Sequence, residues 1–171
     1  MRDRYGAAVT WLPFDLHPEY PPEGIPRAQL LARYGGAVDR HVHAMFEEAG
    51  LRYNPHPEIV PNSRKALRLA ELARDLGRHD EFHDRVMDAY WDEARNIGDE
   101  DELRALAAEV SLPAEDVERV LAGDEYAERV DVSTQQAASL GITGIPAFLL
   151  DSRALVLGAQ PPATFERVLA G

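Results

Sequence analysis

The amino-acid sequence predicts a mixed α/β protein of α+β-like organisation, in which a large all-helical block interrupts a small sheet. Three observations support this prediction. β-branched and aromatic residues cluster near the N-terminus and again near the C-terminus, as they do in strands. From about Arg27 to Leu140, apolar residues recur with the spacing of amphipathic helices. A last amphipathic segment follows the second β region, so the predicted order is strand, helices, hairpin and helix.

The N-terminal β region is the segment Ala7–Phe14. Its β-branched and aromatic side chains predict a strand that ends near Pro13, because proline cannot donate to a sheet ladder. The following segment, Asp15–Pro26, contains four prolines and is predicted to be an extended loop.

The helical block divides at residues that start or stop helices. Asn62 or Ser63 is the expected cap of one helix, and Asp99 with Glu102 resembles a capping box. Glycines are expected to end several helices because they adopt the left-handed conformation of a C-terminal cap. The predicted helices are Leu30–Tyr34, Val38–Ala49, Ser63–Leu76, Phe82–Tyr90, Asp99–Val110, Pro113–Leu121 and Asp124–Leu140.

The C-terminal β region is predicted to be a hairpin. Ala147–Leu150 and Ala154–Leu157 are apolar runs joined by the turn residues Asp151–Arg153. A final helix is predicted after Pro162, with Phe165, Val168 and Leu169 on its apolar face.

Composition excludes several classes of function. The chain has 171 residues, a formal net charge of −12 and no cysteine. This charge repels nucleic-acid phosphates, and no basic cluster with interleaved aromatic residues is present. Without cysteine, neither a disulfide nor a zinc–thiolate site can hold the fold. No signal peptide or membrane-spanning run is apparent, so we expect a cytoplasmic protein that binds no membrane.

The most informative segment is Gly141–Leu150. Pro146 precedes four apolar residues, so it is expected at the first position of a strand or on a sheet edge. Gly141 and Gly144, just upstream, permit the tight loop that leads into such a strand.

Several segments occur in an order that resembles the DsbA family of thiol-disulfide oxidoreductases. The resemblance is greatest to the cytosolic branch associated with polyketide biosynthesis, which is related to 2-hydroxychromene-2-carboxylate isomerases. It extends from about residue 9 to the C-terminus. The segments are Trp11–Leu16 with Pro21–Gly24, Phe82–Tyr90 with Asn96–Asp99, Gly141–Pro146, and Gly158–Pro162.

The resemblance implies an incomplete thioredoxin-like fold with a helical insertion. Residues 1–26 and 124–171 would form the thioredoxin-like portion, and residues 27–123 the insertion. Family members carry a strand, a Cys-x-x-Cys turn and a helix before the segment that matches Val9–Trp11, and this chain lacks them. Three explanations stay open: a misassigned start codon, a truncated gene, or a homodimer in which a second copy completes the sheet.

The resemblance also implies a substrate site. Gly144, Ile145 and Pro146 match the family's cis-proline loop, which binds an extended peptide or a small thiol. Asn62 and Gln160 fall where some relatives bind glutathione, the one cofactor-like ligand expected. The alternative is that Asn62 caps a helix and Gln160 decorates a loop.

No catalytic residue and no metal site are predicted. Disulfide exchange needs a thiolate, and the sequence contains none. His79 and His83 have the spacing of a metal-binding pair on a helix, but a third ligand is not evident.

The sequence therefore predicts a DsbA-family homologue that keeps the substrate loop and is inactive in disulfide exchange as it stands. Whether it is an enzyme stays open. Two alternatives remain: a thiol-free module that binds peptide or glutathione, and a glutathione-dependent isomerase-like protein, which would need an upstream serine.

Overall fold

The structure of the protein is a computed structural model that describes residues 6–170. The chain divides into two compact units. Unit 1 comprises Met1–Leu16 and Asp131–Gly171, and unit 2 comprises His17–Val130.

The described residues form a mixed α/β fold in which helices occupy most of the chain between Arg27 and Ser139. No helix among residues 6–170 is long and apolar enough to cross a membrane. Strands β1 and β2 form one antiparallel pair, and β3 and β4 form another. In chain order the elements are β1 (Ile25–Pro26), α1 (Arg27–Tyr34), α2 (Gly36–Glu48), β2 (Ile59–Val60), α3 (Arg64–Asp75), α4 (His79–Trp91), α5 (Glu100–Glu109), α6 (Ala114–Ala122), α7 (Ala127–Ser139), β3 (Ala147–Leu150), β4 (Ala154–Leu157) and α8 (Pro162–Ala170).

The predicted strand at Ala7–Phe14 is wrong, because no strand of the described chain pairs with this segment. Side chains of α7 bind its C-terminal end instead. The Ser133 hydroxyl donates to the Pro13 carbonyl at 2.7 Å, and the Asp15 amide donates to the Thr134 hydroxyl at 3.0 Å. Two hydrogen bonds therefore anchor the C-terminal end of this segment to α7.

The short pair of β1 and β2 was not predicted, since Ile25 and Pro26 lie in a segment whose prolines favour a loop. Gly24 makes the pairing possible. Its φ of +80° suits glycine, and a Cβ at this position would lie 2.4 Å from the Val60 carbonyl oxygen. The backbone of β2 therefore approaches too closely for any other residue.

Half of the predicted capping box forms at the start of α5. The Asp99 carboxylate accepts from the amides of Asp101 at 2.9 Å and Glu102 at 3.1 Å. The Glu102 carboxylate does not reach back to Asp99, because it pairs with the Arg95 guanidinium. Asp99 is therefore the N-cap, and Glu102 belongs to an ion pair.

The core of unit 2 lies between four helices, α3 to α6. Each buries the apolar face that its sequence period predicts, and this burial is the main stabilising contribution to the unit. The buried cluster consists of Ala66, Leu69, Leu72, Ala73, Phe82, Val86, Ala89, Ile97, Leu103, Leu106, Ala107, Leu112, Val117, Val120 and Leu121.

Arg68 is a buried cation that caps the C-terminal end of α6. Its Nε donates to the Glu125 carbonyl at 2.8 Å, and its Nη2 donates to the carbonyls of Val120 and Gly123. The last carbonyls of a helix lack partners within the helix and carry partial negative charge. The guanidinium donates hydrogen bonds to these carbonyls and places a positive charge beside their partial negative charge, although burial lowers its pKa.

His79 and His83 stack on one face of α4, with ring centroids 5.8 Å apart and an interplanar angle of 13°. Burial lowers the pKa of both imidazoles below the ordinary 6.5. The charge of Arg74 lowers the pKa of His79 further, and His79 does the same for His83. Among the described residues, no three His, Cys, Asp or Glu side chains are placed to hold a metal ion.

We expect Arg68→Met to destabilise unit 2 by about 3 kcal/mol, because it leaves buried carbonyls without a donor. Arg119→Met is the matched control. Arg119 is exposed and pairs with Glu125 at 2.7 Å, so its loss should destabilise unit 2 much less than the loss of Arg68 does. Urea unfolding followed by circular dichroism measures both changes, and equal effects would contradict the capping role.

We expect the two histidines to make stability fall in acid. Since folding lowers their pKa, the unfolded chain binds protons more readily. Their contribution is complete above pH 6.5 and is lost as pH falls through that value toward the folded pKa. His83→Gln should therefore flatten the decline in unfolding free energy between about pH 7.5 and about pH 5.

The control for this experiment is His41→Gln, which removes an exposed histidine from α2. The two variants are compared by urea titration at each pH. An unchanged pH dependence in His83→Gln would show that the stacked pair does not titrate as described.

Candidate functional site

The loop that leads into β3 begins at the end of α7. The Gly141 amide donates to the Ala138 carbonyl at 2.9 Å, and the Ile142 amide donates to the Ala137 carbonyl at 3.0 Å. Gly141 has a φ of +80°, the left-handed conformation that ends a helix most easily with glycine. The glycine therefore turns the chain out of α7 and toward Pro146.

Ile145 and Pro146 form the tip of this loop. The peptide bond between them is cis. The Ile145 side chain is 59% exposed, and Pro146 is also exposed. Within residues 6–170 the amide and carbonyl of Ile145 have no hydrogen-bond partner. An exposed side chain and two free backbone groups are thus presented together.

Gly144 leaves the loop surface open. A Cβ at this position would meet no atom within 4 Å, so neighbouring atoms do not require glycine there. Its backbone also lies outside the left-handed region. The absent side chain therefore affects what can approach Ile145 and has little effect on packing.

A backbone hydrogen bond at the end of β4 brings the turn that carries Gln160 close to the proline loop. The Gly158 amide donates to the Pro146 carbonyl at 2.8 Å, and the Gln160 side-chain amide donates to the Leu157 carbonyl at 3.0 Å. Gln160 is exposed. The structure thus brings the Gly158–Gln160 turn beside Pro146, with one Gln160 donor already used within its own turn.

Asn62 belongs to unit 2, and both ends of its amide are engaged. Its Nδ2 donates to the Tyr20 carbonyl at 2.8 Å, and its Oδ1 accepts from the Arg64 amide at 2.9 Å. The second bond supplies a partner for the first turn of α3, while Ser63 at the N-cap makes no side-chain capping bond. These contacts give Asn62 a local structural role, whatever else it binds.

A polar cluster in unit 2 was missed by the sequence analysis. The Tyr53 hydroxyl donates to Asp39 at 2.7 Å and accepts from Arg27 at 3.0 Å. Burial, followed by the hydrogen bond to Asp39, raises the Tyr53 pKa to about 12. Through these hydrogen bonds the cluster links α1 and α2 to the chain around residue 53. The three residues are far apart in sequence and form no recognisable motif.

The hairpin beside the loop is apolar on both faces. On one face Phe148 packs edge-on against Phe165 of α8, with ring centroids 4.9 Å apart. On the other face Leu149, Leu155 and Leu157 are exposed. The sequence did carry a signal for this arrangement, because the run Ala147–Leu150 lacks the alternation of polar residues that marks a strand with one solvated face.

The groups presented around Ile145 are ones that can bind a ligand. The sequence has no cysteine, and no charged residue occurs between Asp131 and Asp151. The loop therefore offers backbone donors, backbone acceptors and apolar contact, which is the chemistry that recognises an extended peptide.

Comparisons with known proteins agree with this fold. The profile of the DSBA-like thioredoxin domain matches residues 1–170. YwbO of Bacillus subtilis, an uncharacterised protein, is 27% identical over 164 residues, which are 95% of this chain and 80% of YwbO.

Two solved structures are similar. The crystal structure of a probable DsbA oxidoreductase from Streptomyces coelicolor has a TM-score of 0.88 and 31% sequence identity, covering 98% of this chain and 76% of that chain. A candidate protein disulfide isomerase from Nitrosomonas europaea has a TM-score of 0.71 and 20% identity, covering 99% of this chain and 84% of that chain. At that identity the likeness concerns the fold alone.

The profile match extends over nearly the whole chain. The resemblance to DsbA proteins is therefore confirmed at the level of the family, and this chain belongs to the DSBA-like thioredoxin domain family.

Proposed function

We propose that residues 1–171 form the substrate-binding part of a DsbA-type thiol-disulfide oxidoreductase. The loop Gly144–Pro146 receives an extended peptide or a small thiol such as glutathione. The observation that carries this proposal is the exposed Ile145, whose backbone amide and carbonyl have no partner within the described residues. A bound peptide pairs with these two groups as an added strand does.

The proposal assigns substrate binding to residues 1–171 and thiol chemistry to a segment outside them. In disulfide exchange a thiolate sulfur attacks one sulfur of a disulfide, a mixed disulfide forms, and the other sulfur leaves as a thiolate. Residues 1–171 contain no sulfur nucleophile, since cysteine is absent and methionine is a thioether. We propose that they are inactive in exchange alone, and that a Cys-x-x-Cys pair outside residues 1–171 supplies the thiols.

Unit 1 corresponds in this proposal to the thioredoxin-like portion, and the helices of unit 2 to the insertion. Within the family, segments such as Trp11–Leu16 and Phe82–Tyr90 favour the cytosolic branch associated with polyketide biosynthesis. That branch is related to glutathione-dependent isomerases, which is why glutathione is included among the proposed ligands. Gln160 is the proposed contact for glutathione in unit 1, and Asn62 is the proposed contact in unit 2.

A second candidate function is a thiol-free binding module. It keeps the same loop and the same ligands but has no thiol pair elsewhere in the gene. The in-frame DNA upstream of Met1 separates the two functions. A coding segment with Cys-x-x-Cys supports the oxidoreductase, a serine in its place supports an isomerase, and a nearby stop codon leaves the binding module.

We expect the 171-residue protein to leave the rate of insulin reduction by dithiothreitol unchanged, because it has no thiolate to form a mixed disulfide. A form extended by an upstream Cys-x-x-Cys segment should accelerate the reaction. The extended form with both cysteines changed to serine is its control. Acceleration by the 171-residue protein itself would contradict the proposal that the thiols lie outside residues 1–171.

We expect the 171-residue protein to bind an extended apolar peptide, and Ile145→Lys to weaken that binding at least about tenfold, or about 1.4 kcal/mol. The lysine removes apolar contact at the point where the peptide pairs. Isothermal titration calorimetry measures both affinities.

Val132→Lys serves as the control, since it changes an exposed apolar residue of α7 in the same unit. It should leave peptide affinity unchanged within about twofold. No binding of peptide or glutathione at about millimolar ligand, or equal losses in the two variants, would contradict a site at Ile145.

A further inference from the structure

Helix α2 is joined to the rest of unit 2 differently from the helices of the core. Each of the helices α3 to α6 buries at least three side chains. By contrast, none of the side chains described between Gly36 and Glu48 is buried, and the apolar residues Val42, Met45 and Phe46 are half-buried. Segments with few buried apolar contacts are among the first to open in a folded protein.

Asp39 makes the only hydrogen bonds between a described side chain of α2 and another part of unit 2. Its carboxylate accepts from Arg27 of α1 at 2.8 Å and from the Tyr53 hydroxyl at 2.7 Å. The chain at Tyr53 is held against α4, because the Asn54 backbone amide donates to the Trp91 carbonyl at 2.6 Å. The hydrogen bond between Tyr53 and Asp39 therefore attaches α2 to the end of α4.

Ring contacts lie beside this hydrogen bond. Phe46 of α2 packs against Tyr53, with ring centroids 5.3 Å apart, and against Trp91, with ring centroids 5.2 Å apart. His43 of α2 meets the Tyr53 ring edge-on at 5.6 Å. Tyr53 therefore contacts α2 through both its ring and its hydroxyl, and Phe46 covers part of the Tyr53 and Trp91 rings.

A glycine lies at each end of α2. Gly35 precedes the helix with a φ of +73°, and Gly50 follows it with a φ of +68°. A Cβ at either position would meet no atom within 4 Å, so neither glycine is needed for a close approach of other atoms. Glycine changes its backbone angles at little cost, and domain or loop hinges consist of a few residues that absorb such changes.

We propose that α2 is a flap that opens at Gly35 and Gly50 while the core of α3 to α6 stays folded. The hydrogen bond between Asp39 and Tyr53 holds the flap closed. Opening breaks this bond and moves Phe46 away from its ring contacts, so that a surface formed by the Tyr53 and Trp91 rings becomes exposed. The flap belongs to unit 2 alone, and it does not rest on the proposed function.

Amide hydrogen exchange of the 171-residue protein, followed by NMR at low concentrations of urea, tests the flap. The amides of α2 should be at least about tenfold less protected than those in the middle of α3 and α6. Their exchange should also depend less on urea, because opening of one helix exposes less surface than unfolding of the unit. Equal protection and equal urea dependence in α2 and the core would overturn the proposal.

A core variant separates opening of the flap from unfolding of the whole unit. Val117 of α6 is 3% exposed, so Val117→Ala should accelerate exchange of the core amides at least about tenfold. The amides of α2 should change by less than about twofold, because the core is intact when the flap is open. Equal acceleration in α2 and the core would show that α2 opens only when the unit unfolds, which would overturn the proposal.

A second variant tests how the flap is held closed. Tyr53→Phe keeps the ring and removes the hydroxyl, so exchange of the α2 amides should accelerate about fivefold, the effect of one lost hydrogen bond. Tyr90→Phe is the matched control, because the Tyr90 hydroxyl has no hydrogen-bond partner among the described residues, and it should change α2 exchange by less than about twofold. Unchanged exchange in Tyr53→Phe, or equal effects in the two variants, would contradict the role given to Tyr53.

Discussion

Strand β3 needs hydrogen-bond partners along both edges and apolar contacts on both faces, and the packing of unit 1 depends on how these needs are met. Its inner edge is satisfied by β4, and its inner face by Phe165 of α8. No other strand among the described residues pairs with its outer edge, and its leucine face is exposed. The loop at Ile145 leads directly into this strand, so the proposed binding loop is positioned by β3.

Unit 2 has no comparable requirement. Its helices bury one another's apolar faces, and the carbonyl groups at the end of α6 accept hydrogen bonds from Arg68 of α3. The Tyr53 cluster similarly satisfies Arg27 and Asp39 between the first two helices. Unit 2 therefore buries its apolar side chains among its own helices, whereas the leucines on one face of the unit 1 hairpin are exposed.

The helices were predicted well because their signals act within a few residues. These signals are the spacing of apolar residues, the N-cap side chains and the glycines that end helices. The Asp99 N-cap of α5 and the Gly141 turn at the end of α7 are two examples. The prediction of a strand at Ala7–Phe14 was wrong because strand propensity is a local property, whereas a strand is defined by hydrogen bonds to another strand. The loop at Gly144–Pro146 could be recognised from its order of residues. The engagement of Asn62 with Tyr20 could not, since that contact joins a side chain to a backbone group 42 residues away.

The uncharged stretch between Asp131 and Asp151 has a consequence for the protein in the cell. A run of this kind that ends in an open strand has the features of segments that nucleate β-aggregation and attract chaperones. A strand that pairs with this edge also covers the run, so such pairing matters for aggregation as well as for stability.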